Sequence, residues 1–359
     1  MIIGVPKEIK EEEYRVGLLP DGVSILRERG HSILVEKGAG EGAGIKDDQY
    51  ATNGVEIVRS AKEIFQRADL VVKVKEPQPS EYEFLQEGQI LFTYFHFASS
   101  RAMTEALLER KITAVAYEMV EENGSLPLLL PMSEIAGRLA PQEGAKYLEK
   151  EYGGKGVLLS GATGVSPARV VVIGGGTVGL NSAIISSGMG AEVYILEINL
   201  NRLRYLRDIL PSNVKLLYSN SENLRKVLKE ADLVIGAVLI PGAKAPILLT
   251  EEDLKIMEKG TVLVDVSIDQ GGCFQTSKPT THKNPVYLKD GIVHYCVANV
   301  PSAVAKTSTY ALCYATFPYL LSLTEKGIKA LEENSALKKG LCLHKGKITN
   351  LVISKVFRD

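Results

Sequence analysis

The sequence predicts an α/β protein built as two doubly wound, parallel-sheet domains, and three observations carry that reading. Apolar runs of strand length alternate with helix-spaced segments through most of the 359 residues, which is the grammar of parallel strands joined by crossover helices. The alternation runs over residues 2–117 and returns over residues 170–266. The length suits two domains at roughly 100–200 residues each.

In the first half, residues 2–6, 32–36, 70–75, 90–94 and 114–117 read as strands, with helices over 22–28, 61–66 and 102–110. A proline-bounded apolar run then leads into residues 126–150. Ser133 is placed to cap a helix over 134–150, with Glu134 in its first turn. Pro141 predicts a kink or break in that helix. The second half opens on the apolar run VVI (171–173), which ends abruptly in glycines. Gly174, Gly176 and Gly179 hold the spacing GxGxxG, and a helix-like stretch follows over 180–189. A second apolar run over 192–196 ends at Glu197, 18 positions past Gly179.

Segments 60–74 and 220–238 both run helix, Ala-Asp-Leu, strand. They fit two Rossmann-like domains, and equally fit shared α/β grammar without duplication. Past residue 303 the chain turns helical over 309–326 and 328–338. No strand–turn–helix unit is read there, so the tail is expected to pack on the first domain. The expected domains are residues 1–130 with 305–359, and residues 131–304, with a cleft between them.

The strand–turn–helix–strand unit closed by a carboxylate predicts a dinucleotide site. The first glycine permits the tight turn, the second lets a pyrophosphate approach the backbone, and the third lets helix and strand pack closely. The helix N-terminus, at Thr177 and Val178, offers unpaired N–H groups and partial positive charge to phosphates. Glu197 can accept hydrogen bonds from the adenosine ribose hydroxyls. A 2′-phosphate there would meet like charge, and no Arg or Lys occupies 198–200, so the site should take NAD over NADP.

Other classes fall away on composition. A formal net charge of −1 gives no basic footprint for nucleic acid. Cys273, Cys296, Cys313 and Cys342 lie far apart without a CxxC pair, so cytosolic thiols fit better than a zinc site or disulfide framework. The N-terminus turns charged after six residues, so no signal peptide is expected. The longest apolar stretch, 310–323, contains Pro318 and several tyrosines. It is short for a membrane span and reads as a buried helix.

In open α/β sheets, ligands bind outside the carboxyl ends of the strands. Three basic residues fall there: Arg15 in EEEYRVGLLP, Lys75 at the end of LVVKVK, and His96 in YFHFA. Taken singly, each has a plain role as a surface arginine, a solvated strand end or a hydrogen-bonded core histidine. Together they make a carboxylate pocket. Asp269 leaves the apolar run of TVLVDVSIDQGGCF just before Gln270-Gly271-Gly272. It is the candidate acid, and singly it would close an Asx turn.

At these residues the chain resembles the alanine dehydrogenase family, which shares its fold with the soluble dinucleotide-binding subunit of proton-translocating transhydrogenase. The matching stretches span essentially the whole chain: GVPKEIKEEEYRVGLLP, VKVKEP, YFHFA, LLPMSEIAGR, GVSPARVVVIGGGTVG, VDVSIDQGGCF, TSKPTTH, VHYCVANVPSAVAKTST and ALKKGL. The resemblance implies that Arg15 binds the substrate carboxylate and Lys75 contacts its carbonyl or carboxylate. It implies that His96 acts in acid–base chemistry and that Asp269 lies beside nicotinamide and substrate. Met132 and Ser133 would line the cofactor side, and Val297, Ala298 and Asn299 would approach the nicotinamide. The implied activity is reversible, NAD-dependent deamination of L-alanine to pyruvate and ammonium. The implied assembly is a cytoplasmic homohexamer, with the inter-domain helix contributing to subunit contacts.

Four departures from the family pattern stand out: Glu197 where Asp is usual, Ser302 for Gly, Ala305-Lys306 for Pro-Arg, and Leu19 for a frequent Thr. Three other functions would use much of the same scaffold. They are a transhydrogenase subunit, a different amino-acid-linked dehydrogenase of the saccharopine type, and a non-catalytic NAD-binding regulator.

Overall fold

The computed structural model describes residues 1–97, 100–238 and 244–357. Its strands are β1 (Ile2–Val5), β2 (Ser32–Glu36), β3 (Glu56–Val58), β4 (Leu70–Val72), β5 (Ile90–Thr93), β6 (Thr113–Ala116), β7 (Arg169–Ile173), β8 (Glu192–Glu197), β9 (Val214–Tyr218), β10 (Leu233–Gly236), β11 (Val262–Asp265), β12 (Val286–Lys289), β13 (Ile292–Tyr295), β14 (Leu341–His344) and β15 (Lys347–Ile348). The chain divides into two compact units, Met1–Met132 with Val304–Asp359, and Ser133–Ala303.

The first unit holds one sheet in the order β15-β14-β6-β5-β4-β1-β2-β3. Strands β1 to β6 run parallel. Helices cover both faces of such a sheet, so its inner strands are apolar throughout. β4, β5 and β6 are accordingly buried along their whole length. Two covering helices start on serine caps: Ser60 accepts from the Glu63 N–H, and Ser100 from the Met103 N–H. Ile64, Phe65, Val71, Leu91, Met103 and Leu107 join in one core. The order reverses between β1 and β4, and this switch point is where ligands bind in open α/β sheets.

The second unit holds a sheet in the order β12-β13-β11-β10-β7-β8-β9, again parallel except for the edge strand β12. Its switch point lies between β7 and β10. The α/β class and the two sheets agree with the sequence reading.

The edges differ from it. β14 and β15 add antiparallel strands to the first sheet, where the sequence reading placed no strand. Their turn uses Lys345 and Gly346 at φ 49° and 71°. Lysine gives no turn signal, which hid the hairpin. The β12–β13 hairpin turns on Asp290-Gly291, both with positive φ (54° and 82°). That dipeptide is a standard hairpin signal and was readable.

The helix after residue 126 also needs correction. It spans Leu130–Tyr147, so Ser133 is its fourth residue and not its N-cap. Pro131 sits in the first turn, where a missing N–H costs nothing. Pro141 does not end the helix. Its absent N–H would have bonded the carbonyl four residues back, on Gly137. The Ser182 hydroxyl donates to that carbonyl at 2.9 Å instead. A side chain at Gly137 would meet the Val178 carbonyl oxygen at 2.4 Å, so glycine lets the two helices approach closely enough for this bond. Ser182→Ala is therefore expected to lower stability by about 1–3 kcal/mol, the cost of one orphaned buried carbonyl. Denaturant unfolding measures it, and an unchanged midpoint would remove this account of Pro141.

In the tail, the helix Ala305–Lys326 runs through Pro318. The expected helix over 328–338 is instead broken into Ala330–Glu333 and Ser335–Gly340, the second capped by the Asn334 side chain. Among the described residues no helix is long and apolar enough to cross a membrane. All four cysteines are buried and unpaired.

Candidate active site

Arg15, Lys75 and His96 all lie past carboxyl ends of adjacent strands in the first sheet, after β1, β4 and β5 respectively. Arg15 is 2% exposed. Its Nε and Nη2 donate to Glu13 Oε1 and Oε2 at 2.7 and 2.5 Å, and Nη1 meets Met132 Sδ at 2.9 Å. Burial would lower the pKa of the guanidinium, but the Glu13 carboxylate outweighs it and holds the group above its ordinary value. The Nε/Nη2 edge of the guanidinium is thus held by Glu13. The next residue is anchored in turn: the Val16 N–H donates to Thr309 Oγ1 at 3.3 Å.

Lys75 stands three residues past the end of β4, which stops at Val72 and not at Lys75 as the sequence suggested. One carboxylate shapes this exit. Glu8 Oε1 accepts from the Val74 and Lys75 N–H groups at 2.6 and 3.3 Å. Lys73 is separately buried between Glu8 Oε2 (3.2 Å) and Glu81 Oε1 (3.0 Å). Of the two lysines in this stretch, Lys73 therefore serves the framework. Burial pushes the Glu8 carboxyl up to about 7, with Lys73 pulling the other way.

His96 has a left-handed backbone, φ 50°, which is uncommon outside glycine and clusters at functional sites. Glu118 holds the turn by accepting from the His96 N–H at 2.7 Å and the Phe95 N–H at 3.1 Å. The imidazole stacks on Tyr94, ring centres 5.9 Å apart. The Tyr94 hydroxyl donates to the Leu128 carbonyl at 2.5 Å. Burial first, then the charges of Lys75, Lys10 and Arg15, push the His96 pKa down to about 3. Part of the residue still meets solvent, and water there moderates the burial share. The three cations act in the same direction, so the ring is neutral at pH 7. The unit thus sets two cations and an imidazole past three adjacent strand ends.

The glycine turn of the second unit has the shape a dinucleotide needs. Gly174 leaves β7 at φ 104°, and its N–H donates to Leu196 O at 2.8 Å. A Cβ on Gly179 would lie 1.9 Å from the Gly174 carbonyl oxygen, whereas one on Gly176 would meet nothing within 4 Å. The third glycine is needed for packing, and the second faces open space where a pyrophosphate can approach. The helix Thr177–Gly188 starts without a side-chain cap, so its first N–H groups, including those of Thr177 and Val178, suit an anion. Glu197 ends β8. It accepts from the Gly175 N–H (Oε2) and the Asn199 N–H (Oε1), each at 2.8 Å. Arg202 donates from Nε to the Gly175 carbonyl at 2.6 Å.

Asp269 is exposed in the 3-10 turn Ile268–Gln270, four residues beyond β11. Its Oδ1 accepts from the Asn299 N–H at 3.2 Å, and Asn299 has φ 58°. Val297 and Ala298 are held alongside Thr280 through the pairs Thr280 N–H to Cys296 O (2.9 Å) and Ala298 N–H to Thr280 O (3.2 Å). Met132 and Ser133 lie in the first turns of the helix Leu130–Tyr147.

The first unit therefore gathers Arg15, Lys75, His96 and Met132. The second gathers the glycine turn with Glu197, and Asp269 with Asn299. Sequence reasoning missed Glu8, Glu13, Glu118 and Arg202. The acidic three sit in or near charged or mixed stretches that read as surface. Arg202 lies five residues past Glu197, beyond the 198–200 segment that directly follows the strand.

Comparison with known proteins gives consistent matches. The family model for the N-terminal domain of alanine dehydrogenase/PNT matches residues 4–136, and that for its C-terminal domain matches residues 140–351. An alanine dehydrogenase of Methanococcus maripaludis is 55% identical over 358 residues, covering 99% of this chain and 96% of that protein. One of Bacillus subtilis is 51% identical over 357 residues, covering 99% and 94%. A solved L-alanine dehydrogenase superposes with TM-score 0.97 at 50% identity, covering 100% of this chain and 99% of that one. A transhydrogenase from Sinorhizobium meliloti shares the fold at TM-score 0.83 and 22% identity, covering 98% and 99%.

Proposed function

The chain belongs to the alanine dehydrogenase/PNT family, and from that premise we propose that it converts L-alanine and water reversibly to pyruvate and ammonium, with NAD as the hydride carrier. The observation that carries the chemistry is the placement of Arg15, Lys75 and His96 past the carboxyl ends of the adjacent strands β1, β4 and β5, beside the switch point. Residues 1–130 with 305–359 then bind the substrate, and residues 131–304 bind the cofactor.

Gly174, Gly176, Thr177, Val178 and Gly179 would hold the pyrophosphate, and Glu197 the adenosine ribose. Met132, Ser133, Val297, Ala298 and Asn299 would serve the nicotinamide side. Bound there, the nicotinamide supplies a hydride acceptor for the substrate Cα. The protein's own groups do the rest. Arg15 holds the substrate carboxylate through charge-assisted hydrogen bonds. Lys75 adds positive charge beside the carboxylate or the developing carbonyl oxygen. The His96 imidazole takes the proton from the water that attacks the oxidised carbon, and later returns one as ammonia leaves. Its lowered pKa keeps it in the accepting form at neutral pH. Asp269 orients that water or the ammonia.

NAD is read over NADP by the Glu197 carboxylate. A 2′-phosphate would meet its charge, while Arg202 stands beside the same glycine turn. Glu197→Ala is expected to narrow the NAD/NADP ratio of kcat/KM by at least about tenfold, since close like charge costs over 1 kcal/mol in a partly buried site. An unchanged ratio would show that Glu197 is not the reader. The same premise carries a cytoplasmic homohexamer, and light scattering that returned a monomer would contradict the assembly.

A further inference from the structure

Asp265 has no place in the reaction, yet it is the most heavily hydrogen-bonded carboxylate in the described part of the second unit. It ends β11 and is 1% exposed. Oδ1 accepts from the Ser267 N–H at 3.0 Å and from Cys273 Sγ at 3.4 Å. Oδ2 accepts from the N–H groups of Cys273 (2.8 Å) and Phe274 (3.3 Å) and from the Ser277 hydroxyl (2.5 Å). All five partners are donors, which is the environment of an ionised carboxylate. Burial raises this carboxyl above its ordinary value, and the hydrogen bonds from Ser277, Cys273 and Ser267 limit the rise.

The donors are arranged in a revealing way. They come from residues 267, 273, 274 and 277, so the chain leaves Asp265, makes one excursion and returns to the same two oxygens. The excursion contains the turn Ile268–Gln270 and hence Asp269. It closes through the Gly272 N–H to Ser267 O at 3.1 Å, with Gly271 and Gly272 at φ 94° and 80°. A Cβ on Gly272 would lie 2.8 Å from Asp265 Oδ2, so the return strand is drawn tightly onto the carboxylate. Ser267 also donates from its hydroxyl to the Val238 carbonyl at 2.7 Å, which ties the exit of β10 to the same hub. Asp269 in turn accepts from the Asn299 N–H.

We propose that Asp265 is a positioning residue: its carboxylate sets the loop that presents Asp269, and through Asp269 the Val297–Asn299 segment, for the reaction. The inference rests on the catalytic reading of Asp269. Asparagine is nearly isosteric but turns an NH2 group against N–H donors. The excursion then loses a fixed anchor, and Asp269 is displaced while the glycine turn, on other strands, is not.

The test is a double-mutant cycle in full-length enzyme, since residues acting as a unit are non-additive. Asp265→Asn is expected to lower kcat by about 10- to 100-fold, with the NADH dissociation constant within about threefold of wild type. Asp265→Asn with Asp269→Asn is expected to be no slower than Asp269→Asn alone. A purely structural role would instead lower the melting temperature, leave kcat per folded molecule within about twofold, and give losses that multiply in the double variant; either kinetic result overturns the proposal. Should Asp265→Asn fail to fold, Ser277→Ala keeps the carboxylate and removes one donor. Its expected loss of a few-fold in kcat must vanish in the Asp269→Asn background, and a multiplying loss overturns the proposal. Wild-type turnover in Asp269→Asn alone would sink the catalytic reading of Asp269 and this inference with it. Loss in Asp269→Asn with a multiplying Asp265→Asn would sink only the inference.

Discussion

Arg15→Ala is expected to damage the protein twice, and the two effects can be separated. Glu13 is 5% exposed and gives both carboxylate oxygens to the guanidinium. Removing only the cation takes the opposite charge from a buried carboxylate, which costs about 3–5 kcal/mol. For a unit of this size the melting temperature should fall by roughly 10 °C. In the proposed reaction the substrate carboxylate also loses its charged partner, so kcat/KM for pyruvate should fall by at least about 100-fold, the cost of truncating one side of a hydrogen-bonded charge pair. Arg15→Met with Glu13→Gln removes both charges together. It should recover most of the stability, because a buried pair replaced as a pair is nearly neutral, and should recover none of the activity. Recovery of activity with stability would mean that Arg15 is a framework residue and nothing more.

His96→Ala is expected to lower kcat by about 10²–10⁴-fold, the usual contribution of a positioned acid–base group, with NADH binding retained. The pH dependence distinguishes this residue from a bystander. Its pKa in the fold lies below the ordinary value of 6.5, with burial and the neighbouring cations as causes. The accepting form is therefore kept through neutral pH, and the acid limb of kcat/KM should lie below pH 6.5 and be absent from His96→Ala. The same shift bears on stability. Between the folded and unfolded pKa values the unfolded chain binds more protons, so His96 lends stability above pH 6.5 that is lost as pH falls toward the folded value. Near wild-type turnover in His96→Ala would remove the ring from the mechanism.

Much of the fold was legible because the physics is local. Fully covered parallel strands must be apolar end to end, and GxGxxG has one geometric meaning between a strand and a helix. The place of Arg15, Lys75 and His96 past the carboxyl ends of strands was legible from the alternation of apolar runs and helices alone. The carboxylates that hold the trio were not. Within the run Glu11-Glu12-Glu13 the sequence gives no reason for Glu11 to be exposed and Glu13 buried; only the pairing with Arg15 in three dimensions decides it. Glu118 is equally silent, because its work is done on the backbone of Phe95 and His96, 22 and more residues away in the chain. Of the kink or break that Pro141 predicts, the break does not occur, for the same reason. A helix break follows from proline unless a distant hydroxyl satisfies the orphaned carbonyl, and Ser182 was not visible as that partner.

The Ser302 departure has a consequence in the structure. Ser302 is 1% exposed and its hydroxyl bonds His282 Nε2 at 3.1 Å, a tie that glycine at this position could not make. Nothing in the structure explains Lys306.

The most direct test of the assignment is NADH consumption followed by absorbance with pyruvate and ammonium together and with each alone, beside glyoxylate and 2-oxobutyrate. Oxidation that requires both pyruvate and ammonium, and is fastest with pyruvate, is the expected result. Oxidation by pyruvate without ammonium, or none with the pair, would contradict an amine-forming reaction at this site.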